Sequence, residues 1–274
     1  MTLKLRNRLF IVLFVIAIAC ILAATAVWIS ALLSHAVTPP SALRLPRFFT
    51  RFAFMRYHFA ATVISIALLV VYVPTVVLII YRAFENTQSS EIIFFSGFLL
   101  ACLCEGSRIL IPLYALGESF SQFQLFSGRI LLIGRLLAPM SFIAAAIMSD
   151  TEHRQDIERN YMIMVAAATL FALITPLNTA ELTTSCSIPW GFPRLVAIIR
   201  VFMILAASTS FWINGYNHDS KELKFVAGST IILFCGYQLL AVADNFPCLV
   251  VGTVLLGCGT YFTLSKLHTL YMWK

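Results

Sequence analysis

The sequence predicts an all-α fold, a polytopic helical membrane bundle with about eight transmembrane helices, or seven if the first apolar run is a cleaved signal peptide. Three observations lead there. Hydrophobic residues make up 60% of the 274 and charged residues only 11%, with a mean hydropathy of +0.91, whereas soluble domains are about 45–50% apolar. Apolar runs of about 20 residues, the length that crosses a bilayer, recur along the whole chain. These runs lack the period-two alternation of barrel strands, and a helix satisfies its own backbone N–H and C=O groups in lipid.

In order, the runs are Leu9–Leu33, Phe59–Tyr81, Ile92–Leu116, Leu125–Met148, Tyr161–Leu177, Phe192–Ile213, Phe225–Ala243 and Phe246–Leu267. The first follows Lys4, Arg6 and Arg8 and contains Ala24-Thr25-Ala26, the outline of a signal peptide. Its continuation through Trp28 to Leu33 suits an uncleaved span. Pro74, Pro112 and Pro139 fall inside the second, third and fourth runs, where membrane helices tolerate kinks. The fifth run is the shortest. The last two meet at a tight turn around Asp244, Asn245 and Pro247. Their glycines (Gly228, Gly236, Gly252, Gly257 and Gly259) are expected to permit close helix packing. No linker or charge run divides the chain, so residues 1–274 read as a single bundle domain.

Loop charges set the expected orientation. With a cytoplasmic N-terminus, Lys4, Arg6, Arg8, Arg82, Arg154, Arg159, Lys221, Lys224, Lys266 and Lys274 fall inside, and Arg44, Arg47, Arg51, Arg56 and Arg194 outside. That bias places both termini in the cytoplasm of a cell (inner) membrane protein. The exception is Ser41–His58. On a helical projection Arg44, Arg47 and Arg51 share one face and Leu45, Phe48, Phe49 and Phe52 another, as in an interfacial helix touching anionic headgroups; an ordinary wet connector is the alternative.

The net charge of +7 is accounted for by membrane anchoring. No basic run interleaved with stacking aromatics points to nucleic acid, which is not expected as a partner. The lipid bilayer is. Catalytic signatures are absent: no phosphate-binding glycine loop, no zinc motif and no nucleophile elbow. No cofactor, no metal ligand set and no enzyme activity are expected. Cys102 and Cys104 lack histidine companions, and Glu152, His153 and Asp156 read as a solvated charged turn. Cys186 and Cys248 both fall on the outer side, where a disulfide is permitted but not indicated by spacing.

The residues that stand out are charges inside apolar runs: Glu105, Arg108, Arg129, Arg135 and Arg200. Ionised groups in hydrocarbon cost several kcal/mol unless paired or wet, which makes them candidate functional positions. At 1.5 Å per residue, Glu105 lies about 16 Å before the end of the third run and Arg135 about 15 Å into the fourth. These antiparallel neighbours bring the two to one depth. Arg108 shares the Glu105 face at i+3. One carboxylate does not neutralise two guanidiniums, and Arg200 adds a third, with Arg129 and Arg194 nearer the surface and Gln238 and Asp244 on the same side.

The predicted ligand site is therefore Glu105, Arg108, Arg135 and Arg200. It is drawn as an outward-facing hollow between the third, fourth and sixth spans that suits an anionic small molecule, because guanidinium forks match carboxylate and phosphate. Two readings compete with it: Arg129 and Arg194 snorkelling to the surface, and a Glu105–Arg135 pair that only fixes helix register. The expected function is binding or sensing of an anion, with a membrane or cytoplasmic signalling partner for output. The plan of seven to eight spans without a catalytic loop is similar to bacterial membrane sensory modules, in architecture alone. The alternative is a transporter or channel for an anionic solute; a membrane enzyme acting on a lipid phosphate is a third possibility.

Overall fold

The computed structural model describes residues 3–33, 57–84, 89–113, 122–149, 156–178 and 182–272. Most of the Ser41–His58 segment, and with it the interfacial-helix expectation, lies outside these residues, as do Glu152 and His153. Eight α-helices run through the described chain: α1 Leu3–Leu33, α2 Phe59–Ala83, α3 Ser90–Cys104, α4 Gln122–Met148, α5 Ile157–Ile174, α6 Pro193–Asn217, α7 Lys221–Val242 and α8 Phe246–Met272. Each is part of a segment long and apolar enough to span a bilayer. The chain is a multi-pass membrane protein.

The third span departs from the expected uniform helix. Its α-helical winding stops at Cys104 and continues as a 3-10 helix from Glu105 to Leu113. A 3-10 helix has three residues per turn, so side chains at i and i+3 eclipse, and a stretch this long is uncommon. The change falls at the intramembrane carboxylate. The fifth span is the shortest, as expected, but it begins at Ile157 and ends at Ile174; Leu177 instead pairs with Trp190 in an isolated antiparallel bridge.

Helix boundaries follow from capping chemistry. Ser89 and Ser220 open α3 and α7 by accepting from the amides of Ile92 and Leu223, and Asn245 opens α8 by accepting from the Cys248 amide at 2.9 Å. Such caps satisfy N–H groups that the first turn leaves unpaired. Pro193 starts α6, where its missing N–H is harmless.

At the centre lie the third span and α4, both largely buried, whereas α1 and α5 at the edge are mostly exposed. An aromatic hub locks the middle. Phe98 of α3 lies 5.1 Å from Phe142 of α4, 5.5 Å from Tyr237 of α7 and 6.4 Å from Tyr72 of α2, between ring centroids. These separations fall within the range of favourable aromatic pairs.

Two close approaches set the geometry. A Cβ on Gly134 would fall 2.5 Å from the Cys104 Cβ and 2.9 Å from the Ala101 carbonyl, so only glycine lets α4 meet α3 just before Glu105. In the α7–α8 hairpin, a Cβ on Gly236 would lie 2.3 Å from the Leu256 nitrogen, and one on Gly259 2.6 Å from the Leu233 backbone. Gly228 and Gly257 have nothing within 4 Å of such a Cβ, so the packing role expected of the whole glycine set does not extend to them.

Gly236→Val is expected to destabilise the bundle by about 3 kcal/mol, the upper end for overpacking, while Gly257→Val carries only the helix-propensity cost. Unfolding midpoints of the two purified variants in detergent check this; equal midpoints would show that the hairpin does not depend on that approach.

Candidate functional site

Glu105, fully buried, is the centre of a polar network. Its Oε1 accepts from Arg135 Nε at 2.8 Å and from the Tyr237 hydroxyl at 3.0 Å. Its Oε2 accepts from Arg108 Nη1 at 3.1 Å and Arg135 Nη2 at 3.3 Å. The 3-10 winding stacks Arg108 beside the carboxylate, and the Gly134 contact delivers Arg135 from α4. The sequence-predicted meeting of Glu105, Arg108 and Arg135 is therefore what the structure displays.

Donors that Glu105 does not use go to backbone carbonyls. Arg135 Nη2 donates to the Ala241 carbonyl at 2.9 Å, one of the last four of α7, which no residue of that helix can satisfy. Arg129, also from α4, donates to the carbonyls of Ala172, Leu173 and Thr175 at the end of α5. Both arginines sit at the negative ends of helix dipoles. Arg129 is thus a helix cap rather than a snorkelling side chain, whereas Arg194 is exposed near the start of α6.

Arg108 Nε reaches the Ser185 carbonyl at 2.8 Å. Ser185 lies in the polar connector between α5 and α6, which the sequence alone would leave as open loop. The connector instead folds back on itself. Asn178 donates to the Pro189 carbonyl and the Thr183 amide to that of Ser187, Cys186 adopts the left-handed backbone at φ 53°, and Ser185, Cys186 and Ile188 are buried. Burial pushes the Cys186 thiol up to about 11, against the pull of Arg108. Cys186 and Cys248 are free thiols.

Arg200 does not join the Glu105 bonds. It is 6% exposed, and its Nε and Nη2 are buried with no hydrogen-bond partner. Its guanidinium carbon lies 5.9 Å from the centre of the Phe234 ring. Phe234 and Gln238 are one turn apart on one face of α7, so the ring that Arg200 packs on lies about one turn, or 6 Å, along the helix from Gln238. Among the described residues, neither the Gln238 side-chain nitrogen nor the Trp190 indole nitrogen has an acceptor.

Above this column lies a cavity of about 610 Å³, walled by Arg135, Trp190 and Gln238, by the connector from Leu182 to Pro189, and by the α7–α8 turn at Asp244 and Asn245. The hollow expected between the third, fourth and sixth spans is therefore bounded largely by α7 and the connector. The Arg135 guanidinium packs 5.2 Å from the Trp190 ring centre. Asp244 accepts from Thr184 at 3.0 Å and from Asn245 at 3.0 Å.

No protein-family model matches the chain, and no curated protein is significantly similar to it.

Removing the Glu105 charge is expected to be the most damaging single change here. Glu105→Gln leaves Arg108 and Arg135 buried without a counter-charge and should cost about 3–5 kcal/mol, against about 1.5–3 kcal/mol for Tyr237→Phe, which deletes one bond to a charged acceptor. Unfolding midpoints in detergent give the order; Tyr237→Phe proving the worse would displace Glu105 from the centre of the network.

Proposed function

We propose that this multi-pass membrane protein is a non-enzymatic binder of an anionic small molecule, which enters the cavity from the outer side and is held at the Arg135, Trp190 and Gln238 wall above Arg200. The observation that carries this reading is a set of buried donors without acceptors. Among the described residues, Gln238 Nε2 and Trp190 Nε1 of the cavity wall and Arg200 Nε and Nη2 behind it have no acceptor. Burying a charged donor without an acceptor is costly, and an anion supplies the missing lone pairs.

Glu105 and Arg108 enter this reading as positioning residues. They fix the Arg135 guanidinium against α7, while Arg135 Nη1, which makes no hydrogen bond among the described residues, stays free to meet a ligand. Output through a membrane or cytoplasmic partner belongs to the sensory version of the proposal. Passage of the same ligand across the bundle is the second reading. It is favoured by the loss of α-helical winding at Glu105, since interrupted helices line the midplane sites of many carriers.

The test uses ions that quench indole fluorescence. With Trp28, Trp212 and Trp273 replaced by Phe, iodide is expected to quench Trp190 about tenfold more efficiently than caesium, the factor given by 1.4 kcal/mol of local attraction. Arg200→Gln should narrow that gap. Equal quenching by both ions would overturn the anion reading, and a single cysteine at Leu239 labelled in turn from each side of the membrane would favour passage over sensing.

A further inference from the structure

Size, wall chemistry and charge together narrow the class of ligand. A compact inorganic anion occupies two or three water volumes of about 30 Å³ each, a small part of the roughly 610 Å³ available. The cavity instead falls within the range of about 300–1,000 Å³ typical of organic-ligand pockets. Apart from the donors, much of the wall is apolar: Leu182, Ile188, Pro189, Pro193, Leu239 and Val242.

Charge sets the valence. Among the described residues, the guanidiniums of Arg108, Arg135 and Arg200 outnumber the two carboxylates of this region, Glu105, which pairs with Arg108 and Arg135, and Asp244 at the turn, which accepts from Thr184 and Asn245. One positive charge is left over, which matches a monoanion. A dianion would bring an uncompensated charge into a low-dielectric site.

We infer that the cavity takes an organic monocarboxylate with an apolar body of about six carbons or more, its head at the Arg135, Gln238 and Trp190 wall and its body against Leu182, Ile188 and Leu239. The inference rests on the anion reading above. Arg135 Nη1 and the Gln238 amide then donate to the carboxylate oxygens, and the body displaces water from the apolar wall. Each methylene buried this way tightens binding about fourfold.

The experiment measures the thermal unfolding midpoint of the full chain in phosphatidylcholine nanodiscs, titrated with hexanoate, acetate, inorganic phosphate and the neutral hexanamide. A ligand that binds only the folded form raises the midpoint with concentration, which yields an apparent affinity. Hexanoate, with four more methylenes, is expected to bind about 250-fold more tightly than acetate, with hexanamide giving no saturable shift. Leu182→Trp, which fills the cavity from the connector, should erase the advantage of hexanoate.

Acetate or phosphate matching hexanoate, with all three weakened by Arg200→Gln, would overturn the organic-body inference and leave the anion reading standing. Hexanamide matching hexanoate would overturn the anion reading instead, and no shift with any probe would overturn both. Should Arg200→Gln fail to fold, Gln238→Leu reads out the same head-group contact.

Discussion

One carboxylate organises the interior of this bundle. Within a bilayer no solvent is at hand to complete a polar group, so each charge must find its partners in the chain. Glu105 accepts from Arg108, Arg135 and Tyr237 and thereby ties the third span, α4 and α7 at one depth. Arg108 passes the tie to the connector through the Ser185 carbonyl. A register slip of one residue in α4 or α7 would turn Arg135 or Tyr237 by about 100° and leave a charge or a hydroxyl facing hydrocarbon. Apolar packing alone does not discriminate so sharply between registers, because lipid tails are as apolar as leucine.

The arginines solve a second problem set by the same solvent. Every helix ends with four carbonyls that its own amides do not reach. α4 carries Arg129 and Arg135 six residues apart, and these two side chains meet the ends of α5 and α7 respectively. Counting side-chain charges alone therefore overstates how much positive charge is free to bind anything. Carbonyl dipoles absorb part of it, and the remainder is concentrated on Arg200 and on the unused nitrogen of Arg135.

Much of this was legible in the sequence. Run lengths gave the eight spans because bilayer thickness imposes one length on all of them, and the i, i+3 spacing of Glu105 and Arg108 with equal helix depths for Glu105 and Arg135 was enough to join three of the four candidate residues. The 3-10 winding was not legible, since residues i and i+3 share a face in either winding and the Glu105–Arg108 spacing therefore does not distinguish the two. Tyr237 was hidden for a related reason: a tyrosine in a span reads as an aromatic packing residue until its neighbour is known. The connector did carry a signal. Thr183-Thr184-Ser185-Cys186-Ser187 is a run of small, uncharged residues, unlike the charged turns elsewhere, and it suits backbone that folds back among helices.

Arg200 is the residue whose position asks most of the surrounding chain. It lies seven residues into α6, about 10 Å along the helix axis, and is nearly as buried as Arg135, so it does not reach the surface as a snorkelling side chain does. Its contact with the Phe234 ring at 5.9 Å stabilises a desolvated guanidinium by about 2 kcal/mol. Transfer of such an ion out of water costs several kcal/mol even after relaxation. The ring therefore offsets only part of the cost, and no carboxylate or carbonyl of the described chain meets Nε or Nη2. In the proposed reading an anion offsets the remainder, and the cavity wall at Gln238 is where it has room to arrive. Under the proposed anion reading, the same imbalance that makes Arg200 a poor structural element suits it to reading ligand charge, because its favourable interactions would still be to be formed when a ligand binds.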